Sequence, residues 1–380
     1  MTHFLTVDEY VRAKSLANNI RVENLKKPYY IDSIWFDHFM PSLHKGVDIF
    51  SADHIAAWSD HQAKSISEKT QILFNNDGSY KLPIVIYEDS FLRSVDIWST
   101  KNSTNYNKTY CLPLGYTRSS FPHYDIRGHG ELESYLTDKF IPLTDAQLSR
   151  TQGVIRNLIK NGISKYNNQN LSELSQKTVY KIRSMKKSSY RILILDQAYL
   201  DQSVSLSGAD KETFRTMLDE ALKITNNVSI KVHPEQFSGG RRGYYSIEPS
   251  DRQVMISQHR YPTVTLISER INPIALILKY FDEVWTCSSQ LGFEALMLGK
   301  KVRVFGIPFY AGYGLTDDSY VANNEVIKFR NNYKRSFDEI FYNAYIRYCN
   351  YVNPFNPSRA WDIESCVEYL IRKKAECSFS

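Results

Sequence analysis

Two domains of α/β type, the second built on a doubly wound parallel sheet, are what this sequence predicts. Three observations carry the prediction. The chain has 380 residues, more than one ordinary core accommodates and enough for two. From residue 190 onward, short apolar runs alternate with amphipathic stretches of helical period. Several of those apolar runs end in polar residues, as buried parallel strands do where they meet a loop.

The first half is irregular. Its N-terminus, MTHFLTVDEYVRAKS, lacks the basic segment and apolar run of a secretory signal. LPIVIYED (82–89) is its one clear strand. A helix begins at Thr144, where Thr144 and Gln147 form a capping box. Leu148, Val154, Ile155, Leu158, Ile159 and Ile163 then recur at helical spacing. The basic, polar QKTVYKIRSMKKSS (176–189) reads as an inter-domain linker.

Regular alternation follows. RILILD is a buried strand, and KETFRTMLDEALKI an amphipathic helix through Phe214, Met217, Leu218, Ala221 and Leu222. VSIKVHPE and TVTLIS are strands, and NPIALILKYF is a helix with Asn272 at its N-cap and Pro273 at its first position. EVWTCSS is a strand, QLGFEALMLG a short helix and KVRVFG a strand. Two helices close the chain, one from Ser336 to about Val352 with Ser336 and Glu339 as capping box, the other over 360–375.

Composition narrows the function. Apolar residues at 42% and charged residues at 23% are those of a soluble globular protein. The 27 tyrosines suit sugar-binding clefts and half-buried surfaces alike, so they do not decide between them. Lys and Arg (47) exceed Asp and Glu (41) too mildly to argue for nucleic acid, and no nucleic-acid signature is present. That excess fits an anionic small substrate or loose contact with an anionic membrane surface. Five cysteines without a CxxC argue for a reducing cytoplasm, against a disulfide framework or zinc site. No run of ~18 apolar residues occurs, so a cytoplasmic protein, peripheral on the inner face of the membrane, is expected.

In doubly wound sheets, ligands bind at the carboxyl ends of the strands. Asp196 and Gln197, His233, and Ser288 and Ser289 sit at three such ends and should converge on one crevice. Two Ser before a helix place hydroxyls and free N–H groups where an anion such as phosphate binds. Glu294, about a turn inside that helix, can accept hydrogen bonds from a ribose diol. An imidazole at His233 can donate to a phosphate oxygen, and Lys231, two residues earlier, shares its face. LDQAYLDQSVS offers two carboxylates, Asp196 and Asp201, either of which can act as nucleophile in a retaining double displacement. No Asp-x-Asp, HExxH or paired-His spacing suggests a metal site.

Together these stretches resemble the bacterial capsule-polysaccharide β-Kdo glycosyltransferases of the KpsC type. SSQLGFEALMLGKKVRVFGIPFYAGYGLTDD carries the resemblance, with YEDSFLRS (87–94), ISKYN (163–167), LILDQAYLDQSVSLSGAD (193–210) and KVHPEQFSGGRRGY (231–244) in the family's order. The resemblance implies a GT-B-like fold, two Rossmann-type domains with parallel sheets facing across a cleft. The domains are expected at 1–185 (acceptor side) and 186–355 (nucleotide-sugar side), with a C-terminal helix in 356–380 packing back on the first. The implied reaction is retaining transfer of β-Kdo from CMP-Kdo, without metal or cofactor, to a glycan or lipid-linked glycan in capsule or surface polysaccharide synthesis.

By the same resemblance, Asp201 is the first choice of nucleophile and Asp196 the second. His233 and Lys231 would contact the CMP phosphate, Ser288 and Ser289 would cap it, and Glu294 would hold the ribose. Gln197 and Lys165 would bind substrate. Glu88 is assigned as acid/base, and Arg93 to the acceptor or the Kdo carboxylate. PFYAGYG is expected as a loop at the cleft mouth.

There are departures from the family pattern. The chain is long enough for one catalytic module where KpsC proteins carry two, and Leu200 stands where the family usually has Gly before the second Asp. CLPLGYTRSSFPHYDIRGHGELESYL (111–136) diverges, leaving the acceptor open. Alternatives are a GT-B transferase using another nucleotide sugar and a non-catalytic polysaccharide assembly or export factor.

Overall fold

The computed structural model describes residues 24–30, 39, 51–59, 82–96, 111–167, 178, 180, 182, 190–234, 236, 242–247, 253–256, 261, 263–269 and 271–378. The expected linker at 176–189 lies mostly outside them. In chain order the strands are β1 (Pro28–Tyr30), β2 (His54–Trp58), β3 (Ile84–Asp89), β4 (Gly115–Ser119), β5 (Ile192–Leu195), β6 (Val228–Lys231), β7 (Tyr245–Ser246), β8 (Val254–Met255), β9 (Thr265–Ile267), β10 (Glu283–Thr286), β11 (Lys301–Val304), β12 (Asn350–Asn353) and β13 (Asn356–Trp361). The α-helices are α1 (Glu131–Leu136), α2 (Asp145–Asn161), α3 (Gln202–Ser205), α4 (Lys211–Ile224), α5 (Pro273–Tyr280), α6 (Gln290–Met297), α7 (Glu325–Arg330), α8 (Phe337–Phe341) and α9 (Ile363–Ser378).

The chain divides into two compact units, each discontinuous in sequence. The first comprises Met1–Arg93, Pro113–Pro142 and Phe341–Cys366, the second Ser94–Leu112, Leu143–Ile340 and Val367–Ser380. This division differs from the expected boundaries at 185/186 and 355/356. Local hydrogen bonds show why α2 and the part of α9 from Val367 onward belong to the second unit. The Asn272 side chain donates to the Gly162 carbonyl at 2.6 Å. Lys374 on α9 donates to the carbonyls of Asn161 and Gly162 at 2.9 and 2.7 Å.

The first unit's sheet has the order β1-β2-β3-β4-β12-β13. Only β1-β2 and β2-β3 pair in parallel; β3-β4, β4-β12 and β12-β13 are antiparallel. It is therefore a mixed sheet, not the fully parallel one expected. Nor is LPIVIYED its sole strand. Gly115 admits the C-terminal hairpin, since a Cβ there would meet the Asn350 carbonyl at 2.5 Å. The helix expected to run to about Val352 is replaced by α8, a π-helical stretch over Tyr342–Tyr348 and then β12. Phe39 and Trp58 stack at 5.6 Å in this unit's core, beside Val85, Tyr87, Tyr116 and Val352.

The second unit is the doubly wound sheet foreseen. Its order is β11-β10-β5-β6-β9, and every pairing is parallel. β5 (ILIL) and β6 (VSIK) are buried throughout, as strands covered on both faces must be. On α4, Phe214, Met217, Leu218 and Ala221 are buried at the predicted spacing against Ile192, Ile194 and Ile230. Large side chains so buried contribute about 1.5–3 kcal/mol each. The predicted caps form: Thr144 with Gln147, Ser336 with Glu339, and Asn272 ahead of Pro273.

Candidate functional site

The neighbours β10, β5 and β6 point their carboxyl ends the same way. Asp196 and Gln197, which follow β5, hold two different hydrogen-bond networks.

Gln197 reaches toward β10. Its side-chain carbonyl accepts from the Ser288 N–H at 2.9 Å, and its amide donates to Ser288 Oγ at 3.0 Å. Ser288 Oγ in turn donates to the Ser203 carbonyl at 2.7 Å. Asp201 caps the short helix α3, with Oδ1 accepting from the Ser203 N–H at 2.9 Å and from Ser203 Oγ at 2.7 Å. Gln197 is buried, whereas Asp201, Ser203 and Ser288 are half-buried. Predicted residues Gln197, Asp201 and Ser288 thus share one hydrogen-bonded network.

Asp196 holds the other network and is only 4% exposed. Oδ1 accepts from the N–H groups of Gln197 (2.9 Å) and Tyr244 (2.8 Å), and Oδ2 from the Gln236 amide (2.9 Å). Burial pushes its carboxyl up to about 7, against the pull of those donors. Gly243 makes the approach feasible, because a Cβ there would lie 2.0 Å from Asp196 Oδ2 and 1.9 Å from Gln236 Nε2.

Lys231, at the end of β6, is buried and donates to the Val232 carbonyl at 3.2 Å. Burial lowers its ammonium to about 8, opposed by the charges of Glu269 and Asp196. His233 is half-buried two residues on, and its carbonyl accepts from the Gln236 N–H at 3.1 Å.

After β10, Ser289 caps α6, accepting from the Leu291 N–H at 3.2 Å, while its own N–H donates to Thr286 Oγ1 at 3.1 Å. The Tyr310 hydroxyl donates to the Ser289 carbonyl at 2.7 Å. Tyr310 lies 2.2 Å from where a Gly292 Cβ would stand, so that glycine is required for the fit. The PFYAGYG segment is thus a loop of turns, as expected, and it is tightly packed. Tyr310, Ala311 and Tyr313 are at most 1% exposed. Buried Arg330 donates to the Pro308 and Ala311 carbonyls at 2.8 and 3.3 Å. Gly312 turns at φ 88°, a conformation glycine adopts without strain.

Glu294, on α6, is 4% exposed. Both of its oxygens receive the single Ser164 hydroxyl, at 2.8 and 2.7 Å. Burial pushes its carboxyl up to about 7, moderated by Ser164 and by the backbone N–H and charge of Lys165. Lys165 itself lies over the Tyr166 ring at 5.7 Å. The ISKYN and SSQLGFEALM segments thus meet within the second unit.

Glu88 and Arg93 belong to the first unit. The Tyr124 hydroxyl donates to Glu88, and buried Arg93 pairs with Asp89 at 2.5 Å. Leu200, in the family's usual Gly position, has φ 62° and is 72% exposed, so the backbone keeps a left-handed turn at a non-glycine residue.

The site residues that sequence reasoning missed are Gln236, Gly243, Tyr244, Ser164 and Tyr310. Each lay inside a quoted segment, yet nothing local marks it as the partner of a residue far along the chain.

Among the described residues, no helix is long and apolar enough to cross a membrane, and no three His, Cys, Asp or Glu side chains gather as metal ligands do.

The pattern of the family described as "Capsule polysaccharide biosynthesis protein" matches residues 143–351. Capsule polysaccharide modification protein LipA of Neisseria meningitidis serogroup A is 30% identical over 375 residues, 95% of this chain and 48% of that protein. Lipopolysaccharide-processing protein LpsZ of Rhizobium meliloti is 28% identical over 71% of this chain and 54% of its own length. The chain spans about half the length of the curated relatives it matches. Among solved structures, the Thermosulfurimonas dismutans KpsC β-Kdo 2,4 transferase superposes at TM-score 0.71 with 28% identity, over 91% of this chain and 98% of that one. The KpsC β-Kdo 2,7 transferase from the same organism shares the fold, at TM-score 0.56 and 20% identity over 92% of this chain and 99% of its own.

Proposed function

Since the chain belongs to the capsule polysaccharide biosynthesis protein family, we propose that it is a retaining glycosyltransferase moving β-Kdo from CMP-Kdo to a glycan or lipid-linked glycan. One observation carries the reading: the likeness to the β-Kdo 2,4 transferase extends over nearly the whole of both chains. It favours O4 of the acceptor sugar as the attachment point. We take the arrangement as GT-B-like, with the second unit binding the donor and the first serving the acceptor.

The local chemistry supports these roles. Asp201 is the nucleophile: its oxygen bonds to the anomeric carbon as the bond to the CMP phosphate breaks, the electron pair leaving with CMP. An acceptor hydroxyl then displaces Asp201, its proton passing to a base, and two inversions restore the β configuration. Glu88 is the candidate base, and Arg93 the candidate partner of a sugar or acceptor carboxylate. His233, Lys231 and the start of α6 at Ser288 and Ser289 counter the phosphate charge. Glu294 and Ser164 offer the ribose a carboxylate and a hydroxyl already paired with each other. Gln197 and Lys165 complete the substrate side.

The test is CMP release from CMP-Kdo with intact-mass spectrometry, wild type against Asp201→Asn. A Kdo-sized adduct on wild type, absent from the variant along with turnover, supports the reading. A wild type that neither binds nor cleaves CMP-Kdo refutes the donor.

A further inference from the structure

The turn after β5 carries two carboxylates, and their surroundings separate their roles. We propose that Asp196 is a positioning residue rather than a nucleophile, tying the end of β5 to Gln236 and to residues 242–246 and so fixing the turn that carries His233. The proposal rests on the transferase reading for its kinetic consequences, though not for its geometry.

Both oxygens of Asp196 are committed to N–H donors, two of them backbone amides that can leave only if the chain moves. Its own N–H donates to the Lys231 carbonyl at 3.0 Å, so the residue is held from both ends. Around it the returning chain is pinned repeatedly. The Tyr199 N–H donates to the Arg242 carbonyl at 2.6 Å, and Ala198 bridges Gly243. The Gln253 amide donates to the Gly243 carbonyl at 2.9 Å, and Tyr244 stacks on Phe214 at 4.1 Å. A nucleophile must present an oxygen to an approaching carbon, whereas this carboxylate is buried under Gly243 with both oxygens already engaged.

Gln236 transmits the position. Its side chain donates to Asp196 and its backbone N–H to the His233 carbonyl, so one residue spans anchor and turn. An Asn at 196 keeps an oxygen for the two backbone donors, and Gln236 can flip its amide to accept from the new NH2. Ala keeps nothing.

The experiment compares wild type, Asp196→Asn, Asp196→Ala and Gln236→Ala. Hydrogen exchange of residues 233–246 is followed without donor, and kcat, donor KM and intact mass with CMP-Kdo. Asp196→Asn should retain the glycosyl adduct, kcat within about tenfold and near-native exchange. Asp196→Ala and Gln236→Ala should speed exchange across 233–236 at least about tenfold, and Gln236→Ala should raise donor KM with little change in kcat. A folded Asp196→Asn that loses adduct and turnover more than about 1,000-fold overturns the proposal. So does native-like exchange in Asp196→Ala and Gln236→Ala. Inactivity of wild type toward CMP-Kdo would instead count against that donor, and the exchange measurements would still judge this proposal.

Discussion

Asp196 and Glu294 are buried to the same 4% and both pushed up to about 7, yet the regions around them are built differently. Around Asp196 the donors are backbone amides and a glutamine wedged against Gly243. Around Glu294 one hydroxyl proton is shared between two oxygens, beside one backbone N–H. A hydroxyl rotates away at little cost, whereas an amide in a strand-like segment cannot. Equal burial therefore conceals unequal readiness to exchange partners: the first region is an anchor, and the second can accept a ligand hydroxyl in place of Ser164.

The largest expected effect is at the anchor. Asp196→Ala orphans two buried backbone donors and the half-buried Gln236 amide, and should lower unfolding free energy by about 3–5 kcal/mol in urea melts. Ser164→Ala, its counterpart in the second region, should cost about 1 kcal/mol. Equal losses would break the comparison. Gly243→Ala forces a methyl into the Asp196 carboxylate and should cost about 1–3 kcal/mol by the same measurement.

A pH series sharpens the second region. Glu294 favours its protonated form in the folded state, so its contribution to stability is complete below its ordinary value of 4.5 and lost as pH rises through about 7. Wild type should accordingly lose stability relative to Glu294→Gln across that window. Parallel curves would mean that the carboxyl folds already ionised. The smallest effect is expected at Leu200, exposed and left-handed. Leu200→Gly should relieve the turn and raise stability by about 0.5–1 kcal/mol in thermal melts, leaving the capping of α3 by Asp201 unchanged.

Features decided within a few residues were legible in the sequence. The capping boxes at Thr144 and Ser336, the Asn272-Pro273 helix start, and the apolar face of α4 all follow from local spacing. The strand ends at Asp196, Gln197 and Ser288 are legible because a buried apolar strand gives way to polar residues where it meets a loop. What escaped was long-range. Gln236 and Tyr244 reach Asp196 from 40 and 48 residues away, and Ser164 reaches Glu294 from 130. The hairpin β12-β13 joins the first unit's sheet across more than two hundred residues of intervening chain, and no local periodicity announces such pairing. PFYAGYG reads as a loop, but its close packing is not legible from its sequence. Two of its buried carbonyls are satisfied by Arg330, a residue about twenty positions further along the chain.

One consequence follows from the separate partners of Asp196 and Gln197. The two residues lie just past β5 and each bonds a different stretch of chain, so adding or deleting a single residue there would draw both away from their partners. A carboxylate in the place of the Gln197 amide could still accept from the Ser288 N–H but could not donate to its Oγ. Surface loops elsewhere tolerate changes in length, whereas this turn can change its side chains only one substitution at a time and cannot change its count.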